Sequence, residues 1–335
     1  MGWLDRETEP ERGENPGGRS ELRPLLYPFY RCFPKKAWSK FRWKLKERLA
    51  FCLPVLNWVG GRITVVDRLG APGDALLTAI VIHNLKRAYP KLRVICITAH
   101  PELLKLDPAI EKLNGPESFF SFDSSYWDLV RRKDASTNVV AHSLAKVGIR
   151  NCAYKARFHL AREEREWGKR QVSGMRRPLF SVNAASKEPV KSWPERHWRD
   201  LVPRLLEVGD VVQLGDDREP DLPGTHRLAG RLNVRESAAV LAHADLHVGP
   251  DSLLMHVANG LDVPGVILMG GSRPAACLGY AENENLTNTP ACSPCWIHKG
   301  YESCEHEVKC MEAVSVEEAW RAVESFKLFS PHTVN

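Results

Sequence analysis

Asp251 and His256 stand five positions apart in GPDSLLMHVANGLDVPGVILMGG, where the pattern changes from strand to helix. ADLHV before them and GVILM after them are short apolar runs that predict buried strands, and SLLMHVANGL between them predicts a helix. Asp251 is then expected at the N-cap or in the first turn, accepting hydrogen bonds from free backbone amides. Helical side chains lean toward the helix N-terminus, so His256 is expected to reach back over the turn that holds Asp251 and Ser252. Both polar groups converge at one helix mouth, beside the C-terminal end of a strand.

Three other loops hold residues that core packing does not require. Leu69-Gly-Ala-Pro-Gly-Asp74 joins a strand to a helix, with Gly70 and Gly73 permitting a tight turn. Asp74 arrives at the helix start, either as a simple cap or as a carboxylate able to take a proton from a substrate hydroxyl. The spacing is not GxGxxG and no ribose-binding acid follows, which disfavours an oxidoreductase with a dinucleotide cofactor. Lys191, in NAASKEPVKSWP, stands just before a helix, where an ammonium beside backbone amides suits a phosphate. Alone it would be an ordinary surface lysine. Gly215-Asp-Asp-Arg-Glu219 follows a further strand, and its acids are expected to be exposed, with one available to a ribose or sugar hydroxyl.

The elements that must position these loops form two α/β series. RITVVD, ALLTAIVIHNLKRAYP and LRVICIT predict strand, helix and strand, a βαβ unit that implies a parallel sheet. A second series runs PLFSVNA, WPERHWRDLVPRLLEV, DVVQLG, a short strand near THRLAG, ESAAVLAHA, the Asp251 segment and a helix at 316–326. The apolar rhythm weakens across 151–177, which is read as the interdomain connection. The expected organisation is a disordered segment at 1–25, a basic aromatic helical extension at 26–60, a first Rossmann-like domain at 61–165 and a second at 166–335. Two doubly wound domains facing each other leave a cleft bordered by C-terminal strand ends.

Composition narrows the class. The chain has 335 residues, 43% hydrophobic and 26% charged, enough for two globular cores. No apolar run reaches the length of a membrane span, and the acidic N-terminus does not look like a secretory signal. Nine cysteines suit a reduced compartment, so a cytoplasmic protein is expected. Of the net charge of +6, residues 31–48 contribute +7, from eight Lys or Arg against one Glu. Aromatic residues interleave there. The stretch either lies on an anionic membrane surface or packs one aromatic face on the domain behind it. No recognition motif accompanies the charge, so nucleic acid is not an expected partner.

Taken in order, Gly73-Asp74 before a helix, K-x-W-P-x-x-x-W from Lys191, G-x-x-x-E ending at Glu219, D-S-x-x-x-H from Asp251 and C-x-P-C from Cys292 resemble the heptosyltransferases, glycosyltransferase family 9. The resemblance runs from about Ile63 to Trp320. It implies a GT-B fold, with the acceptor on the first domain and a nucleotide-sugar donor, commonly ADP-heptose, on the second. It also implies inversion at the anomeric carbon, no divalent metal needed for transfer, and a glycan or glycolipid acceptor such as the lipopolysaccharide core. Residue by residue, Asp74 resembles the general base and Lys191 the cation that neutralises the leaving diphosphate. Glu219 resembles the acid near the ribose and Asp251 the carboxylate on donor-sugar hydroxyls, while Ser252 and His256 resemble phosphate-side contacts. One departure stands out: the family's glycine after D-[ST] is Leu253 here, and the Gly270-Gly271 pair offers another close backbone approach. The alternatives are the same chemistry with another donor, a protein or soluble acceptor, or a GT-B-shaped binding protein without turnover.

Cys292, Cys295, Cys304 and Cys310 are spaced C-x2-C-x8-C-x5-C, which could wrap one structural zinc or iron ion. Similar clusters occur in parts of the family, some of them with iron. The other reading is four reduced or partly paired thiols in a surface loop, and His298 or His306 could replace one sulfur.

Overall fold

The computed structural model describes residues 49–296 and 304–329. The expected disordered segment 1–25, the basic run 31–48 and His298 lie outside the described residues. The first unit comprises α1 (Leu49–Trp58), β1 (Arg62–Val66), α2 (Pro72–Ala88), β2 (Arg93–Ile97), α3 (Pro101–Leu104), β3 (Lys112–Leu113), β4 (Ser121–Asp123), α4 (Trp127–Arg132) and α5 (Val139–Ala145). Its sheet runs β3-β2-β1-β4, with every pairing parallel. β1 is a branched apolar run buried along most of its length, as a strand covered on both faces must be. α2 has Pro72 at its start, and its residues Ala75 to Ile82 are all buried. A helix apolar around its whole circumference belongs at the centre of a fold.

The second unit comprises α6 (Arg162–Gln171), β5 (Leu179–Val182), α7 (Glu195–Val208), β6 (Asp210–Gln213), β7 (His226–Arg227), α8 (Val234–Leu241), β8 (Leu246–Pro250), α9 (Leu253–Gly260), β9 (Gly265–Gly270), α10 (Ala275–Leu278), β10 (Glu284–Thr287), α11 (Lys309–Glu312) and α12 (Val316–Ser325). Its parallel sheet runs β10-β9-β8-β5-β6-β7. Both sheets therefore reverse direction beside their first strand, between β1 and β4 in one and between β5 and β8 in the other. At such a reversal the two strand-end loops diverge and open a crevice. No described helix is long and apolar enough to cross a membrane.

Two local outcomes differ from the expectations. β3 and β4, two and three residues long, lie where the sequence pattern predicts no strand. Strands this short carry no readable alternation. Within the supposed connection, REEREWGKRQ forms α6, which packs on α8. Its composition is almost wholly polar, and it rests on the domain through Trp167 and Gly168.

The extended strap at 151–161 belongs to both units. Asn84 of α2 hydrogen-bonds both the nitrogen and the oxygen of Ala153 at 2.9 Å. Further along, Ala156 N donates to Asn259 Oδ1 at 2.9 Å and Phe158 N to Gly260 O at 3.0 Å. An apolar cluster also crosses the divide, joining α2 residues to Met255, Val257, Leu278 and Tyr280.

Arg235 of α8 holds the junction electrostatically. Its buried guanidinium donates to both Glu164 oxygens (2.7 and 2.6 Å), to His159 O (2.7 Å) and to Glu102 O (3.1 Å). The hydrogen bonds from Arg235 hold the Glu164 carboxyl at about 2, well below the usual range. Arg235→Ala leaves the His159 and Glu102 carbonyls without this donor, while Glu164 keeps Ala161 N and Lys105, and is expected to cost about 1–3 kcal/mol, read from the urea unfolding midpoint.

Candidate active site

A cavity of about 560 Å³ opens where the two reversal points face each other. The first unit contributes the loop after β1 and Tyr126 after β4. The second contributes the loops after β5, β6, β8 and β9, all at C-terminal strand ends. Asp74, Lys191, Glu219, Asp251, Ser252 and His256 all line this one space. The topology accounts for the convergence, because residues distant in sequence follow strands that are neighbours in each sheet.

Asp74 lies in the first turn of α2, whose N-cap is Ala71, so it is not the capping residue. Its Oδ1 accepts the Tyr126 hydroxyl at 2.8 Å. Burial pushes the Asp74 carboxyl up to about 6, against the opposing pull of that hydrogen bond; the nearby Asp67 charge raises it further. Asp67 in turn accepts Leu69 N and Gly70 N and binds the Thr98 hydroxyl, which shapes the turn leading to α2.

Across the cavity, Lys191 Nζ contacts Asp251 Oδ2 at 2.9 Å and donates to Asp251 O at 3.0 Å. Arg273, following β9, pairs with Glu188 at 2.7 Å and approaches Asp251 Oδ2 at 3.5 Å. Two cations and two anions thus meet here, with Asp251 and Arg273 buried and Lys191 and Glu188 part-buried. This corrects the expected role of Asp251. The N-cap of α9 is Ser252, and the Asp251 carboxylate turns to Lys191 and Arg273 rather than to helix amides. Ser252 Oγ is buried and has no hydrogen-bond partner among the described residues.

His256 sits between the two units. Its Nδ1 and the Tyr280 hydroxyl hydrogen-bond at 2.8 Å, its ring abuts Gly73 at the start of α2, and it lines the same cavity as Asp251 and Ser252. A Cβ on Gly73 would lie 3.0 Å from His256 Cδ2 and 3.2 Å from Nε2, so Gly73 serves this close approach between the two units. Burial pushes His256 down to about 4, which leaves a neutral imidazole near pH 7. It can donate or accept one hydrogen bond there, but it brings no positive charge.

Glu219 departs from the exposure expected for its loop. Asp216 and Asp217 are exposed, whereas Glu219 is buried and accepts Ala184 N at 2.7 Å and Ala185 N at 3.0 Å. Burial pushes its carboxyl up to about 7 despite those amides. Leu253, at the first turn of α9, lines the cavity. Gly270 and Gly271 approach α11 instead of the cavity: side chains added there would meet Met311 and Cys310.

The four clustered cysteines are all free thiols. The soft donor set suits zinc or iron, and Val308 N donates to Cys304 Sγ at 3.4 Å. Among the described residues, however, neither these sulfurs nor His306 form a group with ligand atoms within 4.8 Å of one another. Burial raises the Cys310 thiol, and Cys295 and Cys304 lie near enough to raise it further.

Sequence reasoning missed Tyr126, Glu188, Arg273 and Tyr280. Arg273 had a readable signal, since it follows a predicted strand as the other site residues do. Tyr126 had none, because it follows the unrecognised β4.

Two parallel α/β units with a polar crevice between their strand ends define the GT-B class. The likeness to solved structures gives the same fold. A glycosyl transferase family 9 protein from Veillonella parvula DSM 2008 superposes with a TM-score of 0.59 at 15% identity, covering 80% of this chain and 97% of that one. The iron-containing dodecameric glycosyltransferase TibC from enterotoxigenic E. coli H10407 superposes with a TM-score of 0.64 at 16% identity, covering 79% and 76%; it has also been solved with ADP-D-β-D-heptose. In sequence, lipopolysaccharide heptosyltransferase 1 of Pseudomonas aeruginosa PAO1 is 36% identical over 117 residues, 31% of this chain and 32% of the relative. The match thus spans about a third of that curated relative's length. Residues 135–304 match the model of glycosyltransferase family 9 (heptosyltransferase). The chain belongs to that family.

The raised Asp74 carboxyl has a consequence for stability. Its contribution is fully present below the ordinary carboxylate value of 3.8 and is lost as pH rises through about 6. Asp74→Asn removes the buried charge while keeping an acceptor for Tyr126. The variant is expected to be more stable than the parent above pH 6, by up to about 3 kcal/mol, with the difference fading toward pH 4. Urea unfolding across that range measures it.

Proposed function

We propose that this chain is an inverting glycosyltransferase that moves a heptose-type sugar from a nucleoside diphosphate, ADP-heptose, to a hydroxyl of a lipopolysaccharide-core or related glycan. The observation that carries this reading is the pairing, across one cavity, of a buried carboxylate with a raised pKa on one unit and two cations on the other. In the transfer, the acceptor oxygen attacks the anomeric carbon while its proton passes to Asp74. The bond from that carbon to the diphosphate breaks, and the nucleoside diphosphate leaves with the electron pair. A carboxyl at about 6 is still ionised at pH 7 yet is a stronger base than an ordinary aspartate. Lys191 and Arg273 supply the counter-charge for the leaving group, and the pyrophosphate would displace part of their pairing with Asp251 and Glu188. Freed from Lys191, Asp251 would accept donor-sugar hydroxyls. Ser252 Oγ and a neutral His256 would add hydrogen bonds on the phosphate side. Glu219 would act on the ribose side through the loop after β5 that it braces. The adenine and heptose assignment draws on the family and on the ADP-heptose complex of TibC.

A second reading, a donor-binding protein without turnover, draws support from Leu253 in the cavity wall. One experiment separates the two. Calorimetry with ADP-heptose and a transfer assay on a heptose-free core acceptor are run on the parent, Asp74→Asn and Lys191→Ala. The parent is expected to turn over, with an acid limb in kcat/KM near pH 6. Asp74→Asn should retain binding and lose transfer by at least about 100-fold, and Lys191→Ala should bind ADP more weakly. Binding without turnover in the parent selects the second reading, and transfer by Asp74→Asn removes Asp74 from the role of base.

We also propose that the protein works on the cytoplasmic face of an anionic membrane. The net +7 of residues 31–48 leads directly into α1, which buries Leu53 and Leu56 but exposes Phe51, Val55 and Trp58, with Val59 exposed just past its end. Those four recur at helical spacing on one face, an apolar stripe beside basic charge that suits a lipid interface. Deleting residues 31–48 together with Trp58→Ser should abolish co-sedimentation with vesicles containing phosphatidylglycerol; unchanged sedimentation would refute membrane docking.

A further inference from the structure

Away from the cavity, His83, Asp107 and His159 each offer a ligand atom, and these three atoms lie within 4.8 Å of one another. Among the described residues they are the group of possible metal ligands that reaches this spacing. His83 lies on α2, Asp107 follows α3, and His159 lies on the strap between the two units. His83 Nε2 and Asp107 Oδ2 are 2.9 Å apart, while Asp107 Oδ1 accepts Ala109 N at 2.9 Å and so fixes the carboxylate. The two imidazole rings face each other, with centroids 6.3 Å apart and a tilt of 34°. His159 Nε2 is buried and has no hydrogen-bond partner among the described residues. A hydrogen-bonded His–Asp pair explains two of the residues by itself. It does not explain an imidazole nitrogen taken out of water beside them with nothing to bond.

We propose that His83, Asp107 and His159 bind one divalent transition-metal ion of the zinc class. Two imidazoles and a carboxylate are a donor set for such ions, and three protein ligands leave a fourth position for water. On binding, the proton of the His83–Asp107 hydrogen bond leaves Nε2, and His83 carries its proton on Nδ1 instead. A small inward movement of the rings brings ligands spread over 4.8 Å to coordination distance. The ion would then tie α2 and the α3 loop to a strap that is itself fastened to the second unit through Gly260, Asn259 and Arg235. Its role would be to hold the junction between the units, at a place separate from the transfer site and from the four clustered cysteines.

The test is a Co²⁺ titration of the full-length, reduced protein, comparing the parent with His159→Asn and, separately, His83→Gln. Each variant is expected to lose one equivalent of Co²⁺ per chain. The difference spectrum should contain visible d–d bands and no thiolate charge-transfer band, which keeps any metal on the cysteines out of the comparison. Zn²⁺ should displace that equivalent and should raise the thermal midpoint of the parent more than that of His159→Asn. Equal stoichiometry in parent and His159→Asn, or a difference spectrum with a thiolate band, overturns the proposal. Should His83→Gln fail to fold, His159→Asn decides, because its side chain is part-exposed on the strap.

Discussion

The contact between Lys191 and Asp251 joins the loops that follow β5 and β8. β5 and β8 are adjacent, yet the chain leaves them toward opposite sides of the sheet, and the crevice between their loops is where a ligand can enter. A buried carboxylate there needs cationic partners, and Lys191 and Arg273 provide them from the loops after β5 and β9. The same pairing orients two cations toward the cavity before any ligand arrives. An anionic group entering it finds donors already in position, and the exchange of one anion for another limits the cost of desolvation.

Burial sets the acid–base character on both sides of the crevice, in opposite senses. It raises Asp74 to about 6, toward neutrality, and it lowers His256 so that the imidazole is uncharged. Tyr126 and Tyr280 hold these two groups from behind, each through one hydroxyl at 2.8 Å. Because His256 abuts Gly73, the start of α2 and the body of α9 cannot move independently at this point. The position of Asp74 is thus coupled to the α9 wall of the cavity through direct packing.

The strap at 151–161 plays the corresponding part on the far side of the junction. Its hydrogen bonds go to the first unit at Ala153 and to the second from Ala156 onward, and Arg235 adds charged contacts to α6, α3 and the strap itself. A family built on two such units needs a defined relative position at the crevice, and here that position is enforced by apolar packing, by Arg235 and by the strap together.

Much of this was legible from residue order. Long apolar runs such as RITVV and GVILM specify buried parallel strands because both of their faces must leave water, and each was recognisable without coordinates. The strand-to-helix loops followed, and with them Asp74, Lys191, Glu219, Asp251, Ser252 and His256 as polar groups at strand ends. Residue order did not determine what those groups do to one another. Whether Asp251 caps a helix or pairs with Lys191, whether Glu219 is exposed or buried against Ala184 and Ala185, and which way His256 turns all depend on neighbours far along the chain. Tyr126 was beyond reach because a three-residue strand has too few side chains to show a period. Local pattern decides which segments are strands and helices, since hydrophobic spacing is a local property. Ion pairing, burial and pKa are set by groups brought together from separate segments, and only the tertiary structure brings them together.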